Sequence, residues 1–438
     1  MKHFLIITTY FCLLVNASTA QTTDVQAETI SVYFDEVEEA IRPYNSLWNK
    51  DLYGGLLIVN HETREVFANE PDKNGALTKD GKIYKGILPN EMNFANTAIE
   101  WNGNRWAMVI LYAIPKDKIQ RITLLAHELF HRIQPELGFK DMTEANNGHL
   151  DTKDGRIYLR LELEALKNSV LAETKEDTIE HVSNALIFRK YRNQLFPETA
   201  SAENSLELNE GLAEYTGQTV SGLNRHENAG EHFTKSINQF VKMPTYVRSF
   251  AYQTIPIYGY LLSDIKKDWN KEITTQTNLT EYFIKSFQIE LPNDLKSAVD
   301  AIENKYNAEI ILSEETEREE KNNKLLSEYR AKFVIQTHFD ILLEQMNITF
   351  NPSNVTTLDS IGTVYPTMRL TDKWGILTVE KGALLSSDWQ KVTLSEPTEI
   401  TEQRITGDGW TLELEQGYII QKENQNYILK KDSEKDKK

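Results

Sequence analysis

A chain of 438 residues has room for two or three packed domains. Its net charge of −17 opposes binding to nucleic acid or to an anionic membrane. The one cysteine, Cys12, falls in a segment expected to be removed, which excludes disulfide staples and thiolate metal sites from the rest.

Residues 1–20 combine Lys2, an apolar run from Phe4 to Val15 and the small residues Ser18-Thr19-Ala20. A basic start, a short apolar core and small residues at the cut describe a secretory signal peptide, with cleavage after about Ala20. The apolar run is too short to span a membrane. The expected location is therefore secreted or periplasmic, with no membrane span.

Residues 28–114 read as a small mixed α/β part. Ile30 to Arg42 has helix periodicity, with Val32, Phe34, Val37 and Ile41 as its apolar stripe. Gly54–Val59 and Glu65–Phe67 read as strands on either side of a polar turn at His61-Glu62-Thr63, where His61 is a turn residue. Thr97–Trp101 and Arg105–Tyr112 form an expected β-hairpin about Asn102-Gly103.

The metal helices are expected over residues 116–220. Ile119, Ile122, Ala126, Leu129, Phe130 and Ile133 recur at three- and four-residue steps, and Pro135 stops the helix. Within it, His127-Glu128-Leu129-Phe130-His131 sets two imidazoles one turn apart, roughly 6 Å from each other on one face. Such a pair can share one Zn²⁺, with Glu128 about 100° round the helix, beside any water on the ion. A polar loop follows over 138–155, in which His149 reads as a solvated residue. Ile157 to Ala172 is a helix whose Glu162 and Glu164 are expected to pair with Arg156 and Arg160. A second helix spans 177–195, with His181 on its surface. Glu203 to Val220 is a third, containing Asn209-Glu210-Gly211-Leu212-Ala213-Glu214. Glu203 and Glu207 share a helical face with Glu210 and Glu214, so each is a possible carboxylate ligand by spacing alone. Gly211 in mid-helix implies a close helix contact.

The pairing of His127-Glu128-Leu129-Phe130-His131 with Asn209-Glu210-Gly211-x-x-Glu214 resembles the motifs of the gluzincin metallopeptidases. The resemblance implies a zincin-like α+β catalytic domain over residues 21–310, with a small N-terminal mixed sheet and a mainly helical lobe. It implies a catalytic Zn²⁺ on His127, His131 and Glu210, with Glu128 as general base toward a zinc-activated water. Glu214 would accept the spare N–H of a ligand histidine. The substrate would be a peptide or protein, laid along the hairpin strand ahead of the metal helix. In that family a Tyr or His some tens of residues beyond the third ligand steadies the oxyanion. Here Tyr258, in the bend made by Pro256 and Gly259, is the first candidate and Tyr252 the second, with His226 and His232 behind them.

Residues 221–310 complete the helical lobe, beginning with an amphipathic helix over Glu227–Val241. Residues 311–333 read as a charged linking helix. The period then changes. Short alternating runs at Val355, Gly375–Val379, Gln390–Leu394, Trp410–Leu414 and Tyr418–Ile420 argue a β-domain over 334–431, sandwich or barrel, ahead of a charged tail at 432–438. Two other functions fit the same residues: zinc hydrolysis of a non-peptide or cell-wall amide, and a non-catalytic secreted binding protein.

Overall fold

The fold is given by a computed structural model that describes residues 26–140, 142, 146–350 and 355–432. The expected signal peptide and nearly all of the expected tail lie outside the described residues. The chain divides into two units, Met1–Ser313 and Glu314–Lys438, and its class is α+β.

The first unit opens with a helix over 26–41 (α1), which buries Ile30, Phe34, Val37 and Ile41. Val32, expected in that stripe, faces outward because it lies two positions from Ile30 and Phe34 on a 3.6-residue turn. Six strands follow: β1 (Leu56–Val59), β2 (Glu65–Ala68), β3 (Thr78–Asp80), β4 (Ile83–Ile87), β5 (Thr97–Trp101) and β6 (Asn104–Ile110). They form one sheet in the order β3-β4-β2-β1-β6-β5, antiparallel except for the β1–β6 pair. Strand side chains alternate between faces. Leu56, Ile58, Phe67, Ala107 and Val109 enter the core shared with the helices, while Leu57, Val59, Val66, Trp106 and Met108 fill a second cluster on the other face. The hairpin turns at Asn102-Gly103, both at positive φ, and leaves β5 on the sheet edge.

The next helix, α2 (Lys118–Ile133), is capped by Asp117, whose carboxylate accepts from the Gln120 N–H. Ile122, Leu125, Ala126, Leu129, Phe130 and Ile133 are buried. Ile119 is half-exposed and lines a cavity instead. Pro135 ends the α-helix in a 3₁₀ turn closed by Gly138 at φ +98°. The Arg132 guanidinium donates to the carbonyls of Asp51, Leu52 and Tyr53, holding the helix to the segment that enters β1.

Six more helices carry the lobe onward: α3 (Lys153–Leu171), α4 (Lys175–Leu195), α5 (Ala200–Leu206), α6 (Leu212–Ser221), α7 (His226–Phe240) and α8 (Ala251–Ile265). The expected single helix over Glu203–Val220 is interrupted by a π turn at Glu207–Gly211. Two glycines set how closely the neighbours pack. A Cβ on Gly217 would lie 2.5 Å from the Thr123 carbonyl oxygen in α2, and one on Gly211 would lie 2.5 Å from Ile255 Cγ1 in α8. Both approaches need a residue without a side chain.

A buried charge network lies behind α5 and the π turn. Arg189 pairs with Glu162 and Glu207, and Arg192 with Glu162 and Glu203. Glu162 is therefore not a partner of Arg156 or Arg160; it turns inward to α4, where two guanidinium groups compensate the loss of water. Glu164 pairs with Lys167. His149 also departs from expectation: it is buried, and its Nε2 lies 2.6 Å from Glu203 Oε1. His181 is half-buried, with Nδ1 2.7 Å from the Tyr306 hydroxyl.

The second unit begins within the helix Ala308–Arg330. Thirteen strands between His338 and Lys431, among the described residues, form a seven-stranded and a six-stranded sheet. Phe339, Leu385 and Leu394 from one sheet share a core with Leu377, Trp410 and Leu412 from the other, which makes a sandwich rather than a barrel. No helix among the described residues is long and apolar enough to cross a membrane.

Candidate metal centre

The crossing of α2 with the π turn and α6 brings His127, His131 and Glu210 together. His127 Nε2 and His131 Nε2 are 3.1 Å apart, and Glu210 Oε2 lies 3.4 Å from the first and 3.5 Å from the second. Four ligands placed tetrahedrally at the zinc distance of ~2.1 Å are separated by ~3.4 Å. The three atoms thus form one face of a tetrahedron of the right size, and the group could hold a metal ion.

Hydrogen bonds fix which nitrogens face that point. His127 Nδ1 lies 3.1 Å from Glu214 Oε2, and His131 Nδ1 lies 2.8 Å from Gln134 Oε1. Both partners are acceptors, so each Nδ1 carries its ring's proton and each Nε2 presents a lone pair. Two lone pairs and a carboxylate oxygen converging at 3.1–3.5 Å repel one another unless a cation or a proton sits among them. The electrostatics of the site point the same way. Burial disfavours the charged His127 ring, but Glu210 and Glu214 outweigh it and raise the pKa to about 10. Burial also works against the Glu210 carboxylate, yet the two imidazoles hold it far below the usual range.

Each ligand is braced. Asn209 Nδ2 donates to Glu210 Oε1 at 3.0 Å, leaving Oε2 for the centre. Gln218 Nε2 donates to Glu214 Oε1 at 2.9 Å, and His232 Nε2 lies 3.1 Å from Gln218 Oε1. Tyr252 stacks on the His127 ring at 5.5 Å and donates its hydroxyl to Glu210 Oε2 at 2.5 Å. Burial, then the Glu210 carboxylate, pushes the Tyr252 hydroxyl well above its ordinary pKa, so it remains a donor.

Glu128 is 4% exposed, and its Oε2 has no hydrogen-bond partner among the described residues. Burial raises its pKa. It lines the same cavity as the cluster, a space of about 1460 Å³ bordered also by Thr97 and Ala98 of the edge strand β5.

Among the further candidates, the structure separates sites that one-dimensional spacing could not. Tyr258 is not at the cluster. It is fully buried, donates to Glu162 Oε1 at 3.1 Å and stacks on Phe283 at 4.4 Å. Six residues along α8 turn the side chain about 240° from Tyr252, onto the buried face. His226 pairs with the Tyr260 hydroxyl and lies outside the cavity lining, whereas His232 is part of it. Glu203 and Glu207 face the arginine network, and it is Glu210 and Glu214 that lie beside the histidines. Sequence reasoning missed Gln134, which follows His131 by three residues and so returns to the same helix side. It also missed Gln218, one turn beyond Glu214.

No family model, curated protein or solved structure matches the chain.

Proposed function

We propose that the chain is an exported zinc peptidase of gluzincin type, with His127, His131 and Glu210 as the ligands. The observation that carries this reading is the triangle of ligand atoms at 3.1–3.5 Å beside an unpartnered buried carboxylate oxygen of Glu128. Structural zinc sites use four protein ligands, whereas three leave one corner for water and substrate. When bound, zinc supplies Lewis acidity, which acidifies water and polarises a carbonyl.

The chain's own residues do the rest. Glu128, held by burial at a raised pKa, accepts a proton from the attacking water and returns it to the leaving amine. Tyr252 aims a hydroxyl into the same corner and donates to the oxygen on which charge develops. Glu214 and Gln134 keep the two rings in the tautomer that presents Nε2. The cavity exceeds the ~300–1,000 Å³ of small-molecule pockets. With β5 unpaired on its outer edge, it suits an extended chain that pairs backbone to backbone.

The test has two readouts. Protein purified without chelator should hold about one zinc per chain by elemental analysis, and Glu210→Ala should not. A peptide library should then be cleaved by the loaded protein. Zinc bound with every peptide left intact would move the reading to a different amide, and no zinc at all would end it.

A further inference from the structure

We propose that Gln134 is the positioning residue that locks the Glu210 ligand to the His131 ligand, an inference that rests on the metal-centre reading above. Its side-chain oxygen accepts from His131 Nδ1 at 2.8 Å. Its amide nitrogen donates in the other direction, to the carbonyls of Leu208 at 3.3 Å and Asn209 at 3.2 Å. Those carbonyls belong to the π turn, directly before Glu210.

The π turn explains why one of them, that of Leu208, needs a donor. Leu212 N–H bonds the Glu207 carbonyl, five residues back, where an α-helix would bond four back. Returning from the five-residue step to the four-residue step leaves one carbonyl over. Gln134 is 5% exposed, so water has little access to that carbonyl and the buried amide takes its place. A second consequence follows from the phase of the helix. Without the wide turn, Glu203, Glu207, Glu210 and Glu214 would all lie on one face. With it, Glu203 and Glu207 reach Arg192 and Arg189, while Glu210 and Glu214 turn to the histidines. The π turn thus puts the third ligand in place, and Gln134 ties that turn to the second ligand. Glutamine suits the position because one group must accept on one side and donate twice on the other. A glutamate accepts but cannot donate, and an alanine does neither.

The full chain, stripped and reloaded with metal, tests this. Zinc affinity is read by competition with a chromogenic chelator, and coordination by the visible spectrum of the Co²⁺ form. Gln134→Ala should weaken zinc ~10–100-fold, as loss of a bond behind a metal ligand does, and should alter the Co²⁺ spectrum. Gln134→Glu should recover part of the affinity, through His131, but keep the altered spectrum. Tyr306→Phe, which removes buried bonds to His181 and Asn184 far along the chain from the ligands, should bind zinc as the parent does. The inference is overturned if Gln134→Ala binds zinc within twofold of the parent with the same spectrum. It is overturned equally if Tyr306→Phe loses as much affinity, since the effect would then be general loosening. A parent chain that binds no metal defeats the underlying site reading, a result distinct from either.

Discussion

Tyr252 donates to the same oxygen of Glu210 that faces both histidine nitrogens. On the proposed reading, the Oε2 that accepts from this hydroxyl is also the oxygen a bound cation would take. A cation that takes this lone pair weakens the oxygen as an acceptor, and the hydroxyl is left free to donate to a substrate in the cavity. Tyr252→Phe should then bind zinc at least as tightly as the parent. Turnover should fall ~100-fold with KM little changed, matching the ~3 kcal/mol lost with one oxyanion donor. Tyr258→Phe should do the reverse: it removes one of two donors to the buried Glu162 Oε1, which keeps Arg189 Nε, and should cost ~1–3 kcal/mol of stability with zinc affinity intact. Steady-state kinetics, chelator competition and urea unfolding on the two variants distinguish the roles.

Glu128 offers a separate handle because it touches no ligand of the cluster by hydrogen bond. Glu128→Gln preserves size and burial while removing the basic oxygen. Zinc content should be unchanged, and hydrolysis should drop by ~10²–10⁴, the range of general acid–base contributions. Parent-rate hydrolysis in that variant would remove Glu128 from the mechanism.

The two histidines and Glu128 were legible in the sequence because a helix converts a four-residue spacing into a shared face, whereas Glu210 and Glu214 were set apart from Glu203 and Glu207 only by the resemblance of their motif. That rule holds only along regular helix. It failed at the π turn, where a local change of period decides which of four glutamates reach the centre, and nothing in the residue types announces it. Tyr252 and Tyr258 were equivalent by distance along the chain, and only the rotation of α8 separates them. His149 and Glu162 were misplaced for a different reason. A polar residue in a charged stretch reads as solvated, and the partners that bury these two lie 54 and 27 residues away. The hairpin and the sandwich strands were readable from period-two alternation, a property of each strand alone: it holds for Thr97–Trp101, paired across a two-residue turn, and for Gly375–Val379, paired with the distant Trp410–Leu414.

Gly211 predicts its own consequence. A methyl group there would sit 2.5 Å from Ile255 Cγ1 and 3.2 Å from the Ala251 carbonyl, so α8 must move. That helix carries Tyr252, and Gly211 itself follows Glu210. Gly211→Ala should cost ~1–3 kcal/mol by overpacking and weaken zinc at the same time. Adding Ile255→Ala, which removes the Cγ1 in the closest approach, should return part of the zinc affinity, with its own cavity cost read from the Ile255→Ala single variant. Urea midpoints and zinc competition on the single and double variants would show whether the coupling is steric.

The arginine network predicts how the protein responds to acid. Burial alone would raise the Glu203 carboxyl, but Arg192 and His149 hold it far below its ordinary range. A carboxyl whose folded pKa is depressed stabilises the fold above its unfolded pKa of ~4.3 and loses that contribution as pH falls toward the folded value. Stability should therefore decline as pH drops below about 4.3, through protonation of unfolded chains that the folded state resists. Glu203→Gln removes this linkage. It should be destabilised at pH 7, because Arg192 loses a buried partner, by ~3–5 kcal/mol as for other broken buried pairs. Between pH 5 and pH 3 its urea midpoint should fall less steeply than the parent's. Equal slopes for the two proteins over that interval would show that Glu203 does not set the acid limit.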